Sequence, residues 1–430
     1  MEGVRALLLA LFAAAAHAQF FVVHVTDEAT GRGVPLIELR LPNAVKYYTD
    51  SAGIAAIDEP SFARVAVFVV IAGHGYEYPR ETPRGRGINL VLKPGGRAEI
   101  RVRRTMIAER LYRLTGEGIY RDSVLAGLPV PIREPLLNGQ VLGQDTAVAA
   151  PYRGRIFWIW GDTIGPAFFN GKVSAATSEL PGRGGLDPSV GVNYRYFTNA
   201  QGRVKPMLPL PRKGLVWIEG LFTARDPKGR ERLLATYTRQ KGVEPAEECG
   251  VAIFNDQREQ FEPWFQYPCG GRGHRSSHPF LLRDGGREYW YLYPWLRVPN
   301  EWNAIRDAAH WERRQCQPPP NVRRVSCVAW NEYRKRFLLL AENTGEVWYA
   351  EGPRPEGPYG TAVKIVQHEH YNFYNLVLHP FFDREGGRVI YFEGTYTDAF
   401  SGAREKTPRY NYNQIMYRLR LDDPRLRPAQ

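Results

Sequence analysis

The stretch "SHPFLLRDGGREYWYLY", residues 277–293, returns about a hundred residues later as "LHPFFDREGGRVIYFEG", residues 378–394. In both, His-Pro-Phe is followed by Gly-Gly, then Arg, then a run of aromatic and β-branched residues. Apolar runs split by a glycine turn read as β-hairpins. Three more segments share the layout of an entry strand, a turn holding Gly or charge, and a strongly apolar second strand. They are "GQDTAVAAPYRGRIFWIWGDT" (143–163), "VWIEGLFTARDPKGRERLLATYT" (216–238) and "SCVAWNEYRKRFLLLAENTGEVWYAE" (326–351). Arg155, Arg230, Arg287, Arg334 and Arg388 mark the second strands at a spacing that suits four-stranded blades. Radial repetition closes such a sheet and protects its edges. The expected fold is all-β: a five-bladed β-propeller over 138–430, preceded by a small β-sandwich.

The 430 residues include 42 Gly and 33 Pro, and 13% are aromatic, a composition that suits turns, strands and a carbohydrate-handling surface. The opening "MEGVRALLLALFAAAAHAQ" carries Arg5, an apolar run from Ala6 to Ala16 and the small-x-small site Ala16-His17-Ala18. That pattern predicts a signal peptide over 1–18, cleaved near Ala18, and a secreted or periplasmic protein. Later apolar runs are too short to span a bilayer, so no stable membrane insertion is expected. A net charge of +12 favours acidic partners. Basic helices, zinc fingers and RNA-binding aromatic motifs are missing, so no nucleic acid is expected and an anionic polysaccharide fits better. Solubility alone explains the charge equally well. A monomer is expected. Four cysteines in an oxidising compartment suggest two disulfides, and proximity favours Cys249–Cys269 and Cys316–Cys327. No CxxC spacing occurs, which argues against a zinc site.

Residues 19–103 alternate short strands with Gly and Asp turns, the pattern of a β-sandwich accessory domain. The order V-x-V-x-D-x-x-T-G-x-G-V-P, then "TDSAG", resembles the carboxypeptidase-regulatory or transthyretin-like modules. Residues 104–137 read as an ordered connector with a short helix over Met106–Leu114, ended by Gly116 and Gly118.

In a propeller the innermost strand of each blade lines the axial channel. The residues expected at its mouth are Asp145, Glu219, His278, Trp330 or Asn331, and His379. Charges in a narrow channel cost desolvation unless something uses them. Together with "SHPF", "YAEGPRPEGPYG" (349–360) and "FEGTYT" (392–397), this ring resembles the five-bladed propeller glycoside hydrolases, the arabinanases, xylosidases and anhydrogalactosidases, over about 138–420. The resemblance implies a first-blade aspartate as base, matched by Asp145, and a glutamate or histidine as acid. Glu219 and His278 both suit the acid. Ser277-His278 stands where such enzymes usually carry a glutamate. His379 and Glu393 complete the catalytic candidates, and the resemblance allows a Ca²⁺ near His278 and His379. Candidate substrate contacts are Asp162, Trp217, Arg275, Trp295, Tyr374 and Tyr396.

The chemistry asks for two ionisable groups flanking one sugar ring, with environments that separate their protonation. The leading expectation is therefore a secreted glycoside hydrolase. A polysaccharide lyase, with His or Tyr as base and Arg on a uronate, is a second reading. A non-catalytic carbohydrate-binding or surface-attachment propeller is a third.

Overall fold

A computed structural model describes residues 20–166, 173–242, 245–269, 278–292 and 296–429. The leader expected over 1–18, and the candidates Arg275 and Trp295, lie outside the described residues.

Nine strands come first: β1 (Phe21–Asp27), β2 (Ile37–Arg40), β3 (Lys46–Tyr48), β4 (Ile54–Ile57), β5 (Ala66–Gly73), β6 (Tyr76–Glu77), β7 (Glu81–Thr82), β8 (Gly85–Val91) and β9 (Arg97–Arg104). They pair in the order β3-β2-β5-β6-β9-β1-β4, with β8 on β5 and β7 on β8. The result is an additional sheet domain whose two halves are tied where Tyr76 and Glu77 pair with Arg104 and Arg103. Val23, Val25, Leu39, Val69 and Val102 fill its core, which runs on into the propeller.

Then follow β10 (Glu109–Arg113), helix α1 (Arg121–Leu125) and β11 (Gly143–Gln144). The first blade holds β12 (Ala147–Tyr152) and β13 (Arg155–Trp160), then, after β14 (Thr163–Ile164), β15 (Ser174–Glu179) and β16 (Arg195–Tyr196). The second is β17 (Leu215–Arg225), β18 (Glu231–Gln240), β19 (Glu248–Asn255) and β20 (Gln260–Tyr267). The third is β21 (Phe280–Asp284), β22 (Arg287–Leu292), β23 (Leu296–Pro299) and β24 (Glu312–Arg313). The fourth is β25 (Arg324–Asn331), β26 (Arg336–Asn343), β27 (Glu346–Gly352) and β28 (Val363–Gln367). In the fifth, β29 (Asn372–Leu378), β30 (Val389–Thr397) and β31 (Asn413–Arg420) are completed by β10. The five arginine landmarks each fall at or just before the second strand of a blade, as the sequence spacing implies.

Met106–Leu114 is not helical. Glu109–Arg113 is a strand, because it pairs antiparallel with β31, Glu109 opposite Arg418 and Arg110 opposite Tyr417. A weak local preference for helix yields to a ladder that completes a blade. The first strand of the propeller thus lies inside the segment read as connector, and the one α-helix of that segment is α1.

The two His-Pro-Phe phrases do not mark equivalent positions. His278 precedes the innermost strand of its blade, β21. His379 follows β29, and Pro380–Phe382 form a 3₁₀ turn between the first and second strands. A shared word therefore sits in two registers, and His379 lies at the far end of its strand from the residues that open the fifth blade.

Cys249 and Cys269 form the expected disulfide across the ends of the β19–β20 hairpin. No disulfide joins Cys316 to Cys327. Cys327 packs with the core beneath the fifth blade, whereas Cys316 packs with the cluster around Val328 and Phe337. Successive residues of a strand face opposite ways, so nearness in sequence leaves these two sulfurs on opposite sides of one sheet. Alkylation and mass mapping without reductant should recover Cys249–Cys269 as one linked pair and both Cys316 and Cys327 as thiols. A Cys316–Cys327 linked peptide would contradict this packing.

Candidate active site

Hydrogen bonds at the start of β12 set the first carboxylate. The Asp145 N–H donates to the Asp162 carbonyl at 3.1 Å, and the Gly161 N–H donates to the Asp145 carbonyl at 2.9 Å. A side chain at Gly161 would bring its Cβ to 3.0 Å from Asp145 Oδ1 and 3.1 Å from Thr146 Cβ, so a residue without one keeps the approach open. The Asp162 N–H then donates to Asp145 Oδ1 at 2.8 Å, and the Tyr374 hydroxyl donates to Asp145 Oδ2 at 2.7 Å. Asp145 is almost fully buried. Burial raises its pKa, and the donors from Asp162 and Tyr374 pull it back. Tyr374 is held protonated, its pKa pushed well up by burial and then by the Asp145 charge.

Asp162 accepts from Trp217 Nε1 at 3.3 Å and from the Tyr412 hydroxyl at 3.4 Å. Burial and then the Asp145 charge raise it to about 6. Glu219, on β17 of the neighbouring blade, is different. Its Oε1 accepts from Thr238 Oγ1 at 2.9 Å, while its Oε2 is buried with no hydrogen-bond partner among the described residues. Burial raises its pKa to about 8. A carboxyl in this setting is protonated at neutral pH.

These groups share one cleft of about 510 Å³ at the end of the propeller where β12, β17, β25 and β29 begin. Asp145, Asp162, Trp217, Glu219 and Tyr374 all line it. So do Arg323 and Arg324, which end the long arginine-bearing stretch 298–324 that suits an acidic sugar, and Glu342, Asn343, Asn372, Asn375 and Phe400, which the sequence analysis did not select. Glu342 accepts from Arg324 Nε at 2.9 Å and from the Asn375 N–H at 2.8 Å. The fifth blade therefore reaches the mouth through "YNFYN" (371–375), whose alternation of aromatic and amide residues was the available signal.

Other candidates stand elsewhere. His379 lies past the far end of β29 from Tyr374, beyond an irregularity between Tyr374 and Val377, and does not line the cleft. It is fully buried, with Nε2 at 2.8 Å from Glu393 Oε1 and its ring against Trp158, Phe381 and Phe382. Glu393 is likewise buried between the first and fifth blades. Tyr396 is in the interface with the sheet domain, where its hydroxyl meets His74 Nε2 at 3.0 Å. Trp330 and Asn331 end β25 at the opposite side from the cleft, and Asn331 Nδ2 donates to the Gly387 carbonyl at 2.8 Å. The fourth blade's contribution is Arg323 and Arg324 at the start of that strand. His278 does not line the cleft among the described residues. Burial, then the nearby His379, lowers its pKa to about 3, so the imidazole is neutral at ordinary pH.

Among the described residues, no group of three or more His, Cys, Asp or Glu side chains is placed to hold a metal ion. His379 spends Nε2 on Glu393 inside an aromatic cage.

No family model and no curated protein sequence matches the chain. Solved structures match as folds. One is an exo-beta-1,3-galactanase from Phanerochaete chrysosporium in complex with beta-1,3-galactotriose, 10% identical, with a TM-score of 0.40, covering 66% of this chain and 63% of that one. Another is an exo-1,5-alpha-L-arabinanase from a bovine ruminal metagenomic library, 11% identical, with a TM-score of 0.38, covering 65% and 94%. A beta-xylosidase is 11% identical, with a TM-score of 0.39, covering 66% and 93%. At this distance the five-bladed arrangement stands on its own strand order, and the chemistry of the cleft on its own residues.

The raised pKa of Glu219 has a consequence for stability. Its folded-state value of about 8 lies above the ordinary 4.5, so the unfolded chain loses this proton first. The stability tied to the protonated form is present below pH 4.5 and is lost as pH rises through 8. Glu219→Gln keeps the shape and removes the titration. Its Tm should match the wild-type protein's near pH 4.5 and exceed it at pH 9. Parallel melting curves across that range would show that Glu219 does not titrate in this way.

Proposed function

We propose that the protein is a glycoside hydrolase acting on an oligosaccharide or polysaccharide outside the cytoplasm. The observation that carries this reading is the split between two carboxyl groups in one cleft. Glu219 is desolvated with one donor and keeps its proton to about pH 8. Asp145, held by the Asp162 N–H and the Tyr374 hydroxyl, is the better-stabilised carboxylate of the pair. Neighbouring blades supply them on rigid strands, which fits the need to flank a sugar ring with an acid and a base.

In this reading Glu219 donates its proton to the glycosidic oxygen as the bond to the anomeric carbon breaks. Asp145 accepts a proton from the water whose oxygen attacks that carbon. Release of both products leaves Glu219 ionised and Asp145 protonated, and exchange with solvent restores them. Asp162 holds Asp145 through its backbone N–H. Trp217 and Tyr374 border the space where the ring would sit. His278, neutral and off the cleft wall, has no proton to give at working pH. A lyase needs an accessible His or Tyr base, and among the described residues the tyrosine that lines the cleft, Tyr374, already gives its proton to Asp145.

Against a panel of polysaccharides, release of reducing ends by the wild-type protein is the direct test. Asp145→Asn should lower kcat by about 10²–10⁴-fold with little change in binding, since a base acts mainly in the transition state. Glu219→Gln should cost as much on natural linkages and far less on aryl glycosides with good leaving groups, which need no protonation. For the wild-type protein, kcat/KM should fall as pH rises through about 8, where Glu219 loses its proton. A folded Asp145→Asn variant with wild-type turnover, or an ultraviolet-absorbing unsaturated product, would refute the assignment.

A further inference from the structure

Two features of the cleft are not used by the hydrolytic step. Phe400 is 91% exposed, whereas no other exposed large apolar side chain among the described residues exceeds 51%. Its φ is +59°, in the left-handed region that a bulky L-residue rarely adopts. The turn that holds it there is fixed from several sides. The Asp398 N–H donates to Asn411 Oδ1 at 2.8 Å, Ser401 Oγ donates to the Asp398 carbonyl at 2.7 Å, and Asn372 Nδ2 donates to the Ala399 carbonyl at 3.3 Å. The protein bears backbone strain and lost burial to present one aromatic face at the rim of the cleft. Such strain persists where the surrounding structure over-determines it, and it clusters at ligand sites.

The second feature is a charge. Arg323 and Arg324 are adjacent on the cleft wall, and they differ in how they are used. Arg324 gives Nε to Glu342 at 2.9 Å and an Nη to Asn375 Oδ1 at 2.6 Å. Arg323 is fixed through its backbone, whose N–H donates to Asn343 Oδ1 at 2.9 Å, and its side chain is exposed with no carboxylate within ion-pair distance among the described residues. With Glu342 occupied by Arg324 and Glu219 protonated, the guanidinium of Arg323 is the cation this wall leaves for a ligand.

Resting on the hydrolase reading, we infer that the cleft takes an acidic saccharide: Phe400 stacks on the apolar face of a sugar ring and Arg323 binds an anionic oxygen substituent on the same chain. A guanidinium pairs two N–H donors with a carboxylate or sulfate, and charge-assisted bonds of this kind are roughly twice as strong as neutral ones. An aromatic ring offers contact area that any pyranose face can use, so stacking adds affinity and the arginine adds selection.

The test is titration calorimetry of the full chain with three sets of oligosaccharides of equal length: uronate-containing, sulfated and neutral. The wild-type protein should bind one acidic set at least about tenfold more tightly than the neutral one, the ratio that a charge-assisted pair supports. The set that wins distinguishes carboxylate from sulfate. Arg323→Gln should bring the acidic set down to the affinity of the neutral set. Phe400→Ala should weaken acidic and neutral sets alike, by about three- to tenfold. Equal affinity for all three sets, no binding of any, or an acidic preference that survives Arg323→Gln would overturn the inference. Hydrolysis of neutral saccharides at least as fast as acidic ones would overturn it too, and would leave the hydrolase reading in place. The expected preference without release of reducing ends would remove the hydrolase reading and keep acidic recognition.

Discussion

The pairing of β10 with β31 is the contact on which the cleft depends. It joins Glu109 to Arg418 across 309 residues of chain, with Arg418 Nε donating to Glu109 Oε2 at 3.1 Å. The same β31 begins beside the site. The Gln144 N–H donates to the Tyr412 carbonyl at 2.8 Å, and Gln414 Nε2 donates to the Gln144 carbonyl at 3.1 Å. Asp145 follows directly, so closure of the ring and placement of the first carboxylate are one structural event. The outer side of the seam is anchored by Arg110, whose guanidinium is buried and spent on the carbonyls of Pro35 and His74 in the sheet domain. Buried guanidinium groups are tolerated where carbonyls satisfy their donors, and here they weld two domains.

The buried carboxylates of this protein differ in what they lie against. Glu109, Glu342 and Glu351 are buried, and each lies against an arginine, Arg418, Arg324 and Arg334 respectively. Asp145 and Glu219 are buried and Asp162 half-buried in the cleft, with hydroxyl, indole and amide partners and, among the described residues, no cation among their bonds. A chain with a net charge of +12 does not lack arginines to place there. Withholding them raises pKa values, and a pair of carboxyls with unequal environments divides acid from base at one pH.

The blade pattern was legible because it is written in local terms. Each hairpin carries its own apolar run and turn, and the second strand opens on an arginine. The Cys249–Cys269 pairing was legible for the same reason, since both residues flank one hairpin. The mouth of the channel was less so. Which end of an innermost strand faces the cleft depends on how many residues the following turn absorbs, and the 3₁₀ turn at Pro380–Phe382 displaces the fifth blade's register. Asp145 and Glu219 sit near strand starts and line the cleft, whereas His379 follows its strand and lies away from it. The arginines of the long polar stretch 298–324 suited an acidic sugar, but which of them is available rests on what its neighbour already binds, and Phe400 gave no signal because its exposure rests on a turn held by Asn372 and Asn411.

Because the propeller is sealed by its first strand meeting its last, the order of synthesis matters to this fold. The sheet domain has all its strands once residue 104 has been made, and it shares a core with residues as late as Leu426. The propeller must wait with β10 unpaired until about 300 further residues exist, a contact of very high sequence separation and hence of slow formation. Until then β10 and β30 are open edges, the kind that recruits foreign strands. A chain cut short before Asn413 would keep four intact blades and lose, together with the ring closure, the Gln414–Gln144 tie beside Asp145. Loss of the last strand therefore disarms the cleft without touching a single carboxylate in it.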